Sequence, residues 1–103
     1  MSFNIERYES WVHENCRPYT DLPYCVIALN GEAGEVAEWY KKAVLRGNPT
    51  GELTNQDLLE ELGDVLFYLT RLAHLKGWDL RTVANTNRRK IDARVAKGKR
   101  SVA

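Results

Sequence analysis

Four segments of this sequence carry apolar residues at intervals of three and four positions, and a short stretch containing Pro or Gly separates each segment from the next. Such intervals place apolar side chains on one face of an α-helix. The separating stretches are residues 17–23, 46–52 and 76–79, where Pro and Gly interrupt helices. Because no segment alternates apolar and polar residues as a β-strand would, we predict an all-α fold, a four-helix bundle.

Capping residues indicate where the predicted helices begin and end. The expected N-caps are Asn4, Thr54 and Asp79. Asp57 can complete a capping box with Thr54. Pro23 suits the first turn of a second helix, which we place at about residues 24–45. The third helix should end just before Gly77, because a basic residue followed by Gly is a common C-terminal signal.

The length of the chain fits one domain. It has 103 residues, 44% of them apolar, which suffices for a single core. We assign residues 1–97 to one helical domain and residues 98–103 to a basic, flexible tail. A domain of this size buries only about two thirds of its unfolded surface, so we expect oligomerisation to complete the bundle.

Charge and cysteine content narrow the class of protein. The net charge of +1 argues against a dedicated nucleic-acid binder, although residues 88–100 hold seven Lys or Arg and one Asp. No run approaches the roughly 18 apolar residues that a membrane-spanning helix needs. Cys16 and Cys25 follow no secretory signal, so we expect a cytoplasmic protein with reduced thiols and no membrane partner.

A series of carboxylates in the second predicted helix is the first chemical signal. Glu32, Glu35 and Glu38 recur at three-residue spacing, which puts neighbours side by side on the helix, and Gly31 and Gly34 lie among them. Like charges at this spacing repel, and each mid-helix Gly costs roughly 1 kcal/mol relative to Ala. Helical phase places Glu32 nearest the core and Glu38 farthest from it.

The third predicted helix repeats this pattern. Glu61 and Asp64 are three residues apart with Gly63 between them, whereas helical phase turns Glu60 toward solvent. Four or five carboxylates on two facing helices form an anionic cleft that suits Mg²⁺, which often joins protein carboxylates to phosphates. We expect Gly34 and Gly63 to let the helix backbones or a ligand approach closely.

Any single acidic pair has a simpler interpretation. It could be a solvated surface neutralised by nearby basic residues, here Lys41, Lys42 and Arg46. The repetition of the pair on a second helix, again with an embedded Gly, favours the metal cleft.

The paired acidic motifs resemble those of the MazG-like nucleotide pyrophosphohydrolases. Glu32-x-x-Glu35, a gap of 25 residues and then Glu61-x-x-Asp64 match the ExxE…ExxD signature of this family. The family belongs to the all-α NTP pyrophosphatase superfamily, together with dimeric dUTPases and phosphoribosyl-ATP pyrophosphohydrolases. The resemblance therefore implies the four-helix fold that the periodicity predicts.

A downstream stretch extends the resemblance to roughly residues 22–95. Asn87, Lys90 and Arg94 occupy the polar positions of a segment similar to the family's NxxKLxxR stretch. The resemblance implies that Asn87 and Lys90 contact base or phosphate and that Arg94 offsets charge on the leaving pyrophosphate. Aromatic rings can stack on a nucleobase, and Trp39 and Trp11 are the candidates here.

The resemblance also implies an activity. A (d)NTP would be hydrolysed to the monophosphate and pyrophosphate by attack of metal-activated water on the α-phosphorus. Mg²⁺, for which Mn²⁺ could substitute, would be held by Glu32, Glu35, Glu61 and Asp64, with Glu38 as a further candidate. Glu35 or Glu32 is our candidate for the general base. The family further implies a homodimer or homotetramer with its site near the subunit interface.

Other interpretations stay open. The protein could be a different phosphohydrolase of the superfamily, acting on dUTP or phosphoribosyl-ATP, or a non-catalytic helical module that binds nucleic acid or a partner protein through its basic last helix. The acidic motifs would repel nucleic acid, which we therefore do not expect as a partner. His13, Cys16 and Cys25 lack a fourth ligand for a zinc site. We expect His74 to interact favourably with the end of its helix.

Overall fold

Four α-helices form the part of the chain that the computed structural model describes, residues 3–98. They are α1 (Ile5–Asn15), α2 (Leu22–Tyr40), α3 (Asn55–Leu75) and α4 (Leu80–Ala96). These residues contain no β-strand, so the predicted all-α class with four helices is confirmed. No helix in this range is both long and apolar enough to cross a membrane. The predicted basic tail lies outside the described residues except for Gly98.

The helix caps are those that the sequence predicts. Asn4 Oδ1 accepts the Arg7 N–H at 3.0 Å, and Asp79 Oδ1 accepts the Thr82 N–H at 2.8 Å. At the start of α3, Thr54 Oγ1 accepts the Asp57 N–H at 3.3 Å, while Asp57 Oδ2 accepts the Thr54 N–H at 2.8 Å. The reciprocal pair satisfies two backbone donors that the first turn leaves without helical partners.

The second helix begins earlier than predicted and changes its geometry before it ends. Asp21 caps it by accepting the Tyr24 N–H at 3.0 Å, so that Pro23 lies in the first turn as expected. After Tyr40 the chain continues as a π-helical segment, Lys41–Leu45. The periodicity did not predict this wider turn, because its apolar residues keep helical spacing. Single π-helical turns occur frequently at functional sites.

The α2 and α3 helices form the largest interhelical contact, and α1 packs on α3. By contrast, α4 touches α3 only over a small area and is fastened near its start, where the Leu80 N–H donates to Glu9 Oε2 at 3.1 Å and Arg81 pairs with Glu6. The radius of gyration is 16.5 Å, whereas a compact domain of 100 residues has about 13 Å. The four helices of one chain therefore form an open arrangement.

Several apolar side chains of α2 and α3 are exposed in the single chain. Leu59, Leu62 and Leu66 occupy positions i, i+3 and i+7 of α3, and they are 61%, 49% and 38% exposed. On α2, Val26 is 54% exposed. The periodicity identified the helices correctly, but this stripe is not covered by the chain's other described helices. The prediction that a second copy completes the bundle stays a prediction.

The capping box at the start of α3 yields a test of stability. We expect Thr54→Ala to lower the free energy of unfolding by about 1 kcal/mol, because the Asp57 N–H then loses its side-chain acceptor. Urea denaturation followed by circular dichroism measures this. Gln56→Ala, an exposed neighbour on the same turn, is the control and should change stability far less. Equal effects of the two substitutions would contradict the capping role.

Candidate metal centre

The pairing of α2 with α3 positions the acidic residues. At one end of the pair, the rings of Tyr24 and Tyr68 lie 6.1 Å apart between centroids. At the other end, Trp39 Nε1 donates to the Thr54 carbonyl oxygen at 3.0 Å. Because residue numbers rise along α2 while they fall along α3, the two helices are antiparallel. Glu32 lies between these ends of α2 and therefore faces the middle of α3.

Three carboxylates converge at that position. Glu32, Glu61 and Asp64 each offer a carboxylate oxygen, and these oxygens lie within 4.8 Å of one another. Oxygens on opposite sides of a Mg²⁺ ion are about 4.2 Å apart, twice the Mg–O distance. Small side-chain rotations would therefore let the three carboxylates contact one ion, so the residues fit the metal that the sequence predicts.

The electrostatics of this cluster also favour a cation. Partial burial, followed by the charges of Asp64, Glu61 and Glu35, raises the pKa of Glu32. Desolvation, followed by Asp64 and Glu35, raises the pKa of Glu61. Every charged neighbour that shifts these two groups is another carboxylate. Within the described chain the repulsion has no basic counterpart, and a divalent ion would relieve it.

Glu35 lies beside this cluster rather than within it. It is exposed, one turn along α2 from Glu32, and its charge acts on both Glu32 and Glu61. It is not among the three residues whose oxygens lie within 4.8 Å. The structure therefore separates the four predicted ligands into a converging trio and one adjacent carboxylate. Glu60 is exposed, as helical phase predicts.

Glu38 is engaged by basic residues. Its carboxylate lies 3.2 Å from Lys41 Nζ and 3.4 Å from Lys42 Nζ. These hydrogen-bonded pairs, Lys41 first, lower the pKa of Glu38. Glu38 is half-buried beside these lysines, whereas Glu35 is exposed, and the helical-phase order that puts Glu38 farthest from the core stays a prediction. The simpler interpretation of the acidic face was neutralisation by nearby lysines. Among the predicted carboxylate ligands, it applies to Glu38 alone.

The glycines beside the carboxylates do not bring the helix backbones together. A Cβ added at Gly34 or Gly63 would meet no atom within 4 Å. The predicted close approach of two backbones is therefore wrong within one chain, where the antiparallel helices leave open space at both positions. The open space beside the two glycines could instead accommodate a ligand or a second copy of the chain.

Trp39 and Trp11 lie in different surroundings. The half-buried ring of Trp39 lines a cavity of about 170 Å³ together with Glu35, Asp57 and Glu61. Trp11 is 51% exposed and packs edge-on against Phe67, with ring centroids 6.0 Å apart. Base stacking by either ring stays a prediction. For Trp39 the indole N–H is already used to join α2 to the cap of α3.

The predicted substrate residues of α4 do not reach the acidic cluster within one chain. Asn87 and Lys90 are exposed and Arg94 is half-buried. None of the three makes a side-chain hydrogen bond or ion pair with another residue of the range 3–98, and neither basic residue is among the charges that shift the pKa of Glu32 or Glu61. Their roles stay predictions that require substrate or a second copy.

The thiols and imidazoles form no metal site. Cys16 and Cys25 are free thiols, as expected, and Cys25 is fully buried. His13 and His74 stack with ring centroids 3.6 Å apart. The acidic trio is the only group in residues 3–98 that brings three potential metal ligands together.

The described residues form an all-α domain that holds three carboxylates between antiparallel helices, an arrangement that suits a divalent cation. The family model of the MazG nucleotide pyrophosphohydrolase domain matches residues 24–98, which contain both acidic motifs and the α4 stretch. The chain therefore belongs to the MazG nucleotide pyrophosphohydrolase family, whose members are generally metal-dependent.

One relative supports this assignment. The chain is 38% identical over 87 residues to the Gene 37 protein of Mycobacterium phage L5, and the alignment covers 82% of this chain and 75% of the phage protein. The name of that relative states no activity. No solved structure matches the chain significantly. The comparisons thus establish the family.

Repulsion within the cluster predicts how stability depends on pH. Folding raises the pKa of Glu32 and Glu61 above their ordinary value of 4.5, so the folded state binds protons more tightly than the unfolded chain. Their contribution to stability is therefore present below about pH 4.5 and is lost as the pH rises through the raised values. We expect Glu32→Gln to be more stable than the unaltered protein at pH 7 in EDTA, with a smaller difference at pH 4.

Urea denaturation across this pH range measures the effect. Glu52→Gln, which removes an exposed carboxylate away from the cluster, is the matched control and should leave the pH dependence unchanged. A Glu32→Gln protein that is no more stable than the unaltered protein at pH 7 would show that the carboxylates do not repel one another as described.

Proposed function

We propose that this protein is a Mg²⁺-dependent nucleoside triphosphate pyrophosphohydrolase that converts a (d)NTP and water to the (d)NMP and pyrophosphate. The observation that carries the proposal is the convergence of Glu32, Glu61 and Asp64 within 4.8 Å, where the charged groups acting on the two glutamates are all acidic. Membership of the MazG family supports the reaction class.

The trio would hold the metal against the triphosphate. Carboxylate oxygens are hard ligands suited to Mg²⁺, which keeps some coordination positions for phosphate oxygens and water, and Mn²⁺ could substitute. Bound Mg²⁺ supplies positive charge that polarises the phosphate and lowers the pKa of water. Glu32 lies on the α2 side of the cleft, and Glu61 and Asp64 lie on the α3 side, so the trio would hold the ion, and with it the phosphate chain, between the two helices.

Glu35 is the residue that we assign as general base. It is adjacent to Glu32 on α2, outside the converging trio, and exposed, so it has an oxygen free to accept a proton. As water attacks the α-phosphorus, its proton passes to the Glu35 carboxylate. The bond from the α-phosphorus to the bridging oxygen breaks, and pyrophosphate leaves. Glu32, our other sequence candidate, is better placed as a ligand.

The α4 helix would complete the site from a second copy of the chain. Asn87, Lys90 and Arg94 follow at intervals of three and four residues, so they share one face of α4. Lys90 and Arg94 can pair with phosphate oxygens, and Asn87 can hydrogen-bond to base or phosphate. Because this face does not act on the cluster of its own chain, a homodimer or homotetramer is the arrangement that would bring the two together.

The exposed leucine stripe of α3 supports that assembly. Leu59, Leu62 and Leu66 form an exposed apolar row on α3, the same helix that carries Glu61 and Asp64. Covering this row with the same row of another chain would bury apolar surface that the open single chain leaves in water. The metal cluster would then lie close to the interface between the two copies.

Hydrolysis of triphosphates is the direct test. The purified protein is incubated with Mg²⁺ and each common or modified (d)NTP, and the products are separated by chromatography. We expect monophosphate and pyrophosphate from at least one substrate. Glu35→Gln should lower kcat by about 10²- to 10⁴-fold, yet keep the rise in melting temperature that Mg²⁺ produces, because it removes the base and leaves the trio.

Variants of the trio and of its neighbour complete this experiment. Glu61→Gln and Asp64→Asn should lose both turnover and the Mg²⁺-dependent rise in melting temperature. Glu60→Gln, next to Glu61 but turned to solvent, should keep both. If no triphosphate is turned over, or if the Glu60 substitution is as damaging as that of Glu61, the proposed reaction is wrong.

Assembly can be measured by light scattering coupled to size-exclusion chromatography. We expect a mass of two or four times the 11.8 kDa of one chain. The double substitution Leu59→Asp and Leu62→Asp should give the mass of one chain, because it puts charges in the apolar row. Leu45→Asp alters a leucine that is 72% exposed at the far end of the π-helical segment, and it should not change the mass. A single-chain mass for the unaltered protein would exclude the proposed dimer.

A further inference from the structure

The α4 helix is joined to the rest of the chain at its first turn. The N–H of Leu80, the first residue of α4, donates to Glu9 Oε2 of α1 at 3.1 Å, and the Arg81 guanidinium pairs with Glu6 of the same helix. Within residues 3–98, no other hydrogen bond or ion pair links α4 to α1, α2 or α3. The two glutamates of α1 therefore provide the polar contacts that hold α4.

Side-chain packing holds α4 only weakly beyond this first turn. A cavity of about 340 Å³ lies beside the helix, lined by Trp78, Thr82, Val83 and Thr86. Leu80 is the one fully buried residue among Leu80–Ala96, and the contact with α3 covers a small area. The direction of α4 therefore depends more on its contacts with α1 than the directions of α2 and α3 do.

The rotation of α4 about its axis follows from Leu80. Asn87 and Arg94 lie seven and fourteen residues after Leu80, and seven residues come within about 20° of two full turns. The three therefore share one side of α4, and Lys90 lies next to that side. We refer to Asn87, Lys90 and Arg94 as the substrate face, after their predicted role. Because Leu80 is buried, holding its backbone in place sets where the substrate face points.

The length of α4 makes its start important for the substrate face. Arg94 lies about 21 Å from Leu80 along the helix axis, at 1.5 Å per residue. A tilt of about 10° at the first turn would therefore move Arg94 by about 4 Å. Displacement of a group by about 1 Å can lower the rate of an enzyme roughly 10²-fold. A small change in direction at the first turn would thus take Arg94 out of reach of a phosphate.

Glu9 makes the stronger of the two contacts with α4. Its carboxylate accepts from the backbone of a residue that is 6% exposed, at the positive end of the helix dipole. Removal of this acceptor would leave a buried N–H without a partner, which is costly. By contrast, the side chains of Glu6 and Arg81 are 55% and 64% exposed, so water and salt weaken their attraction.

The α1 helix that carries Glu9 is itself packed on α3. Val12, three residues after Glu9, is fully buried, and Trp11 packs edge-on against Phe67 of α3 with ring centroids 6.0 Å apart. These contacts run from α3 through α1 to α4. They therefore hold α4 relative to α3, the helix through which we propose that two copies associate, and so relative to the cluster of the second copy.

We propose that Glu9 is a positioning residue, which holds α4 from α1 so that the substrate face reaches the triphosphate at the cluster of a second copy. This inference rests on the proposed function, because it takes the substrate face to bind phosphate there. Glu9 touches no substrate and acts through the direction of α4. A cap that served stability alone would leave substrate binding unchanged in the folded protein.

Residual dipolar couplings measure the direction of α4 without substrate. The full chain, isotopically labelled, is weakly aligned, and the amide couplings of α3 and α4 are compared by NMR. One alignment tensor should fit both helices. Smaller couplings in α4 than this tensor predicts for the unaltered protein would show that α4 is not held, and would overturn the proposal without any substitution.

Substitutions of Glu9 test the contact itself. Glu9→Ala should reduce the couplings of α4 relative to those of α3, whereas Glu9→Gln, which keeps an acceptor oxygen for the Leu80 N–H, should leave them unchanged. Glu14→Ala alters an exposed glutamate of the same helix, and this matched control should also leave them unchanged. Couplings of α4 that Glu9→Ala does not alter would overturn the proposal.

Binding of inorganic triphosphate, measured by calorimetry in Mg²⁺ with every variant folded, tests the effect on phosphate recognition. Glu9→Ala should raise Kd about tenfold, as loss of one charge-assisted hydrogen bond would, and Glu9→Gln and Glu14→Ala should not. In a chain that already carries Lys90→Ala and Arg94→Ala, Glu9→Ala should have no further effect, because the groups through which it acts are gone. Full additivity would contradict the positioning role.

Kinetics separate this inference from the function on which it rests. With a triphosphate that the protein hydrolyses, Glu9→Ala should lower kcat/KM about tenfold, while the rise in melting temperature that Mg²⁺ produces stays, because the trio lies on α2 and α3. Hydrolysis with an unchanged kcat/KM in Glu9→Ala would overturn the positioning role while the hydrolase stands. The predicted couplings and triphosphate binding, in a protein that hydrolyses no triphosphate, would support the positioning role and contradict the hydrolase.

Discussion

Repulsion among carboxylates held between two antiparallel helices is the constraint on which the rest of this structure depends. The α2 and α3 helices are joined at both ends, by the contact of Tyr24 with Tyr68 and by the hydrogen bond of Trp39 to the cap of α3. The backbone of α2 at Glu32 cannot move away from α3 without disturbing those contacts. The contact between these two helices therefore stabilises the fold and also holds together the carboxylates that we propose as cation ligands.

Local chemistry explains why much of this was predictable. Capping by Asn4, Thr54 and Asp79 depends on residues within one helical turn, so the sequence contains the whole interaction. Helical phase likewise separates solvent-exposed Glu60 from Glu61. The pairing of the two acidic motifs across the helices also follows from the sequence, because antiparallel neighbours joined by one connection bring their central residues together.

Other features depend on surroundings that the sequence does not specify. The π-helical segment keeps apolar spacing, so nothing in the periodicity predicts it, and the lysines that engage Glu38 lie at its start. The exclusion of Glu35 from the converging trio depends on side-chain directions across two helices. The exposed leucines of α3 have the same three- and four-residue spacing as buried ones. This spacing shows which residues share a helix face, but it does not show whether another helix covers that face. The contact of Glu9 with the start of α4 went unpredicted because it joins residues far apart in the chain.

The open space beside Gly34 and Gly63 has a consequence for how this chain could be altered. A methyl group fits at both positions, and Ala in a helix interior is more favourable than Gly by about 1 kcal/mol. Each of the two glycines therefore lowers the stability of a helix that borders the charged cleft. An engineered chain with alanine at both positions should therefore have a higher melting temperature. If that chain also loses activity, the loss would indicate that substrate approaches the helix backbone closely at these two positions.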